Sequence, residues 1–196
     1  MEVKNVFGTY VVKAQCEHSE WYKNTVAIEN LDRLFRQYNK SAAEAVGDIK
    51  TTINCPIPVP MIPGLESLVS WVEQQIMLAA PYFVDFSPSG FKFDLQRTWA
   101  NKMFKGSSVL PHTHDVIPGT TNRHTTNSRG VAIFYQQLPT DSSDLVFIQN
   151  DEKIYGEVKE GDLVFHSKNI LHAVTEHQSD IPRICLVFEF VYLENV

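Results

Sequence analysis

Gly161-Asp162-Leu163-Val164-Phe165-His166-Ser167-Lys168-Asn169-Ile170-Leu171-His172-Ala173-Val174, with Pro182-Arg183-Ile184-Cys185-Leu186-Val187-Phe188-Glu189-Phe190 after it, is the stretch that decides the fold. A turn at Glu160-Gly161-Asp162 opens a short apolar strand. A polar tight turn follows, and His172 opens the next strand. The last segment is an apolar strand with one cation, Arg183, at its head. A cation aimed into a protein interior needs a carboxylate partner, because an unpaired buried charge is costly.

The same rhythm extends upstream. Phe91–Lys105, Gly130–Leu138, Asp144–Gln149 and Ile154–Val158 read as further strands, joined by Asp162–His166, His172–Thr175 and Arg183–Tyr192. Asp141-Ser142-Ser143-Asp144 reads as a hairpin turn. Many short strands between turn signals point to a mainly β fold of jelly-roll type. Residues 7–16 add a strand. Residues 27–46 read as helix, with Ile28, Leu31, Leu34, Phe35 and Tyr38 on one stripe and a capping box at Ser41-Ala42-Ala43-Glu44. The prolines at 56, 58 and 60 impose extended chain. Residues 64–80 form a second helix with Leu65, Leu68, Val69, Val72, Ile76 and Leu78-Ala79 inward, ended by Pro81. The expected organisation is a single domain over 1–196, with 1–90 a helical N-terminal cover and 91–193 the jelly-roll core.

The chain has 196 residues, 43% hydrophobic and 20% charged, enough to bury a core without staples. A net charge of -6 disfavours nucleic acid as a partner. No apolar run reaches the length of a membrane span, and no charged start leads into an apolar stretch, so neither an anchor nor a signal peptide is expected. Cys16, Cys55 and Cys185 are odd in number and scattered, as buried free thiols in a cytoplasmic protein would be. Six of the seven histidines lie between His112 and His177. In Pro111-His112-Thr113-His114-Asp115 the two imidazoles fall two apart, so a strand would present both to one ion.

Gly161–Phe190 resembles the C-terminal half of the iron- and 2-oxoglutarate-dependent dioxygenase core, in which a distal iron-ligand His and then ten residues are followed by an Arg that binds the 2-oxoglutarate distal carboxylate. His172 and Arg183 have that spacing, with ten residues between them. Pro111–His114, preceded by Trp99-Ala100-Asn101 and Gly106, resembles the first-ligand segment of a small bacterial and phage subfamily of prolyl-hydroxylase-like proteins. The resemblance spans roughly residues 91–193. It implies a double-stranded β-helix, cupin-like, that binds Fe(II) and 2-oxoglutarate. It also implies oxidation of a substrate C–H bond with O2, releasing succinate and CO2.

Carried over residue by residue, the resemblance makes His112 the first ligand, His172 the distal ligand and Arg183 the co-substrate anchor. The family pattern has a carboxylate two after the first His, and this chain has His114. Either three imidazoles hold the ion, or Asp115 replaces His114; loss of the metal is the remaining reading. Cys185 stands where the family often has a serine. Tyr135 and Asn101 are candidates for co-substrate binding. The long segment Asp115–Arg129, with Arg123, His124 and Arg129, falls where a substrate loop would sit. His166 reads as structural, His124 and His177 as surface, and Trp71 and Trp99 as core. The resemblance leaves a small molecule or a protein side chain as the substrate, and analogy with the fold implies a homodimer. The alternatives are a cupin-like metal protein with 2-oxoglutarate-independent chemistry, which needs no Arg183, and a non-catalytic jelly-roll binding module, which needs no metal.

Overall fold

Two long strands set the architecture, and the alternation of their side chains sorts the protein into two cores. The computed structural model describes residues 1–38, 44–83, 91–114 and 129–194. Strand order along the chain is β1 (Glu2–Val6), β2 (Thr9–Gln15), β3 (Ala45–Val46), β4 (Ile49–Thr51), β5 (Phe91–Met103) and β6 (Ser108–His112). There follow β7 (Arg129–Gln137), β8 (Leu145–Gln149), β9 (Glu152–Gly156), β10 (Asp162–Ser167), β11 (His172–Val174) and β12 (Arg183–Glu194). Helices α1 (Thr25–Gln37) and α2 (Glu66–Ala79) precede β5.

A seven-stranded sheet runs β1-β2-β10-β7-β12-β5-β4, and a five-stranded sheet runs β3-β6-β11-β8-β9. All pairings are antiparallel. From β5 to β12 the chain passes back and forth between the sheets, leaving β10-β7-β12-β5 facing β6-β11-β8-β9. That is the jelly roll expected from the sequence.

Successive residues of a strand point to opposite faces of its sheet. Leu186, Phe188 and Phe190 of β12, Ala132 and Phe134 of β7, and Leu163 and Phe165 of β10 therefore face outward. There they bury Leu31, Leu34 and Phe35 of α1 and Leu68, Val72 and Ile76 of α2. Val131, Ile133 and Tyr135 of β7, Val164 of β10, and Cys185 and Val187 of β12 face the space between the sheets, with Leu145 and Phe147 opposite. Gly130 sits where a side chain would run into the ring of Phe190.

Several local expectations are corrected. Residues 1–90 are more than a helical cover, because β1, β2 and β4 extend the large sheet and β3 the small one. The β1–β2 hairpin turns on Phe7 and Gly8, with φ of 52 and 80°. Two positive φ values suit a tight hairpin, and Phe at the first position carries no turn signal. Helix does not continue to residue 46. α1 ends at Gln37, and Ala45-Val46 pairs with Val109-Ser108 as strand. Most of the Ser41 capping box lies outside the described residues. Ile28 and Leu78 are exposed, one step round from the buried stripes. Asp141–Asp144 joins β7 to β8 across the two sheets, so it is an arch rather than a hairpin. No helix among the described residues is long and apolar enough to cross a membrane.

Phe188 is fully buried between the large sheet and the helices. Phe188→Ala is expected to cost about 3–5 kcal/mol in urea denaturation. A loss below about 1 kcal/mol would contradict this account of the core.

Candidate metal centre

The facing strands deliver a cluster of imidazoles. In the small sheet His112 of β6 and His172 of β11 are cross-strand partners. His114 lies just past β6, held by its backbone N–H donating to the Lys168 carbonyl at 2.8 Å. His112 and His172 have ring centroids 4.3 Å apart, and His114 stacks on His172 at 5.2 Å with an interplanar angle of 3°. One ligand atom from each of the three lies within 4.8 Å of the others.

The hydrogen bonds fix the tautomers. Nδ1 of His112 faces the Leu110 carbonyl at 2.9 Å, and Nδ1 of His172 faces the Ile170 carbonyl at 3.1 Å. A carbonyl only accepts, so each Nδ1 carries the proton and each Nε2 keeps its lone pair. His114 Nδ1 meets Glu189 Oε1 at 2.7 Å. Three Nε2 lone pairs are thus free for one ion. Burial holds the pKa of His172 well below its ordinary value, with the other imidazoles acting the same way, and burial also lowers that of His112. Both rings stay neutral, the form that binds metals.

A cavity of about 360 Å³ opens beside the cluster, lined by His112, His114, His172, Asn101, Arg183 and Cys185 among others. Parity explains it. Arg97, Trp99, Asn101 and Met103 of β5 lie on the same face as Arg183, Cys185, Val187 and Glu189 of β12. Across the ladder the pairs are Arg183–Met103, Cys185–Asn101, Val187–Trp99 and Glu189–Arg97.

Arg183 is 2% exposed. Its Nη1 donates to the Met103 thioether at 2.9 Å, a weak acceptor, and its Nε has no partner. Its guanidinium lies 5.1 Å from the Tyr135 ring centroid. The Tyr135 hydroxyl is buried with no acceptor, and burial pushes its pKa up to about 12, so it remains a donor. Arg183 thus brings a buried guanidinium with an unused Nε donor to the wall of the cavity.

Glu189 and Arg97 are the residues the sequence reading missed. Glu189 is 6% exposed. Arg97 grips it with two bonds, Nε to Oε2 at 3.1 Å and Nη2 to Oε1 at 2.9 Å, and lies over Trp99 at 4.9 Å. Burial alone would raise the Glu189 pKa, but the bonds from His114 and Arg97 outweigh it, and the net direction is down.

Asp115, Arg123 and His124 lie outside the described residues, and Arg129 opens β7, paired through its backbone with Val191. Asn101 lines the cavity, whereas Tyr135 stands behind Arg183. Trp99 is buried as expected, but also lines the cavity. His177 is not at the surface. It is fully buried, its ring bonded to Ser142 and to the Ile181 carbonyl. Cys16, Cys55 and Cys185 are free thiols, and Cys55 is only half-buried.

By sequence the chain matches no protein family and no curated protein. By structure it matches many solved chains. An oxidoreductase of the 2OG-Fe(II) oxygenase family from Burkholderia pseudomallei aligns at a TM-score of 0.57 with 14% identity, over 92% of this chain and 85% of that one. The viral collagen prolyl hydroxylase of Paramecium Bursaria Chlorella virus-1, in complex with 2OG, aligns at 0.57 with 11% identity over 93% and 96%. The alpha-ketoglutarate-dependent carbocyclase SnoK from nogalamycin biosynthesis aligns at 0.65 with 13% identity over 92% and 79%. The fold is that of the 2OG-Fe(II) oxygenases.

Within this oxygenase fold His166 is the fourth imidazole, its centroid 4.6 Å from that of His172. Its Nδ1–H donates to the Ser167 carbonyl at 2.9 Å. Burial, reinforced by His114, pushes its pKa from 6.5 down to about 3. The unfolded chain takes up this proton near pH 6.5, the folded protein only near 3. The stability linked to His166 is therefore complete above pH 6.5 and lost as the pH falls. Metal-free protein should lose about 1.4 kcal/mol per pH unit through this residue across that window. Urea denaturation at pH 7 and pH 5 should show a shallower dependence for His166→Gln, and an unchanged slope would contradict the assignment.

Proposed function

We propose that the protein is an iron(II)- and 2-oxoglutarate-dependent oxygenase. The observation that carries this reading is the conjunction of two unfilled requirements in one cavity. Three imidazoles converge with their Nε2 lone pairs unused, and a buried arginine stands with its Nε unpartnered and the Tyr135 ring behind it. A metal ion answers the first and a dicarboxylate answers the second. The donor set suits the group, since imidazole is a good ligand for a borderline divalent ion, and three protein ligands leave positions open for exchangeable ones.

In this reading His112, His114 and His172 hold Fe(II), and Arg183 pairs with the distal carboxylate of 2-oxoglutarate. Tyr135 backs the Arg183 guanidinium with its ring, and Asn101 lines the cavity beside it. When bound, iron and 2-oxoglutarate would let O2 oxidise a substrate C–H bond, one oxygen atom entering the substrate and the other the succinate left as 2-oxoglutarate loses CO2. The chain's own contribution is orientation. Backbone carbonyls hold His112 and His172 in one tautomer. The apolar neighbours Ile133, Leu145, Val174 and Val187 line the cavity and would limit water around a bound ion. The fold neighbours support this reading, with the viral prolyl hydroxylase solved in complex with 2OG and HygX from Streptomyces hygroscopicus with nickel and 2-oxoglutarate.

Anaerobic titration of the purified protein with Fe(II) and then 2-oxoglutarate tests this directly. A weak visible charge-transfer band is expected on addition of the second component. His172→Ala should abolish metal binding. Arg183→Ala should weaken 2-oxoglutarate binding by at least tenfold while leaving metal binding in place. A folded wild-type protein that gives no band would contradict the proposal.

A further inference from the structure

We infer that Glu189 acts through His114 as the charged member of the metal centre, a positioning residue that restores the negative charge a carboxylate ligand would supply. The inference rests on the proposed metal site and concerns what makes a three-imidazole version of it workable.

The three ligands are not equivalent. His112 and His172 each donate Nδ1–H to the backbone carbonyl two residues before them. Only His114 donates to a side chain, and that side chain is a buried carboxylate at 2.7 Å. His114 is also the residue that stands where the related pattern has a carboxylate.

A carboxylate behind a ligating imidazole fixes the ring's orientation and raises the basicity of the other nitrogen. The negative charge thus reaches the ion through one ring rather than by direct contact. Glu189 is built for this. It is Arg97's partner in the β5–β12 ladder, so register alone brings the two together. The guanidinium fork holds both carboxylate oxygens and is itself laid over Trp99. Oε1 consequently accepts from Arg97 and His114 at once, which fixes the carboxylate in place. A structural ion pair in this position needs no third bond, and a merely structural histidine has no need of an anion whose partner arginine is already satisfied.

The test is equilibrium binding of Co(II) to metal-free full-length protein, followed through the cobalt ligand-field bands, for wild type, Glu189→Gln and the double variant Arg97→Gln/Glu189→Gln. Glu189→Gln keeps the shape and removes the charge. The double variant leaves no unpaired buried arginine, so it guards against a folding defect. Both are expected to bind Co(II) 10- to 100-fold more weakly than wild type, with shifted ligand-field bands. Wild-type binding, with both variants within twofold of it and spectrally identical, would overturn the role of Glu189 and leave the metal site standing. Failure of the folded wild type to bind Co(II) would remove the metal site itself.

Discussion

The pleat of the large sheet is the constraint on which everything else depends. Along β12 the odd-numbered residues Arg183, Cys185, Val187 and Glu189 turn toward the small sheet, while Leu186, Phe188 and Phe190 turn toward the helices. β5 obeys the same rule with Arg97, Trp99, Asn101 and Met103. A one-residue slip of either strand would put Phe188 in the cavity and Arg183 against α1 and α2, an exchange the hydrophobic core does not permit. The apolar face thus specifies the polar face. The helices hold register for a site they do not touch.

The polar face is unusual for the interior of a small protein. It gathers the imidazoles of His112, His114 and His172 and the guanidiniums of Arg97 and Arg183 around a single cavity, with His166 beside His172 and Glu189 bonded to His114. Their arrangement divides into a closed account and an open one. Glu189 and Arg97 satisfy each other, and Glu189 satisfies His114. Arg183, the Tyr135 hydroxyl and the three Nε2 atoms have no comparable partners in the described protein. Gln136 Oε1, Ser143 Oγ and Asp162 Oδ1 are likewise buried without partners elsewhere in the described residues. What singles out the candidate site is that three imidazoles and Arg183 converge on one cavity.

How much of this was legible in the sequence follows from the range of each interaction. Strand existence and the His172-to-Arg183 spacing are local, and they were readable. So was the pairing of His112 and His114 on one short segment. Glu189 was within reach, as the lone carboxylate in the apolar run from Ile184 to Tyr192, six residues and so the same face from Arg183. Its partner Arg97 was not, because a cross-strand pair depends on register between segments some ninety residues apart. The burial of His177 was hidden for a similar reason, since its bonds go to Ser142 and Ile181 in separate turns. Ile28 and Leu78 were misplaced because periodicity fixes the width of a helix stripe only to within one residue, and packing decides its edge.

The central claim is that His112, His114 and His172 hold one ion through Nε2 while Arg183 holds a dicarboxylate beside it. A crystal structure of the protein with Mn(II), an oxidation-resistant stand-in for iron(II), and 2-oxoglutarate tests it most directly, with the ion located by its anomalous signal. The account predicts one anomalous peak coordinated by the three imidazoles, with the distal carboxylate of 2-oxoglutarate on Arg183. A peak elsewhere, or Asp115 in place of His114 on the ion, or Arg183 without the co-substrate, would contradict it.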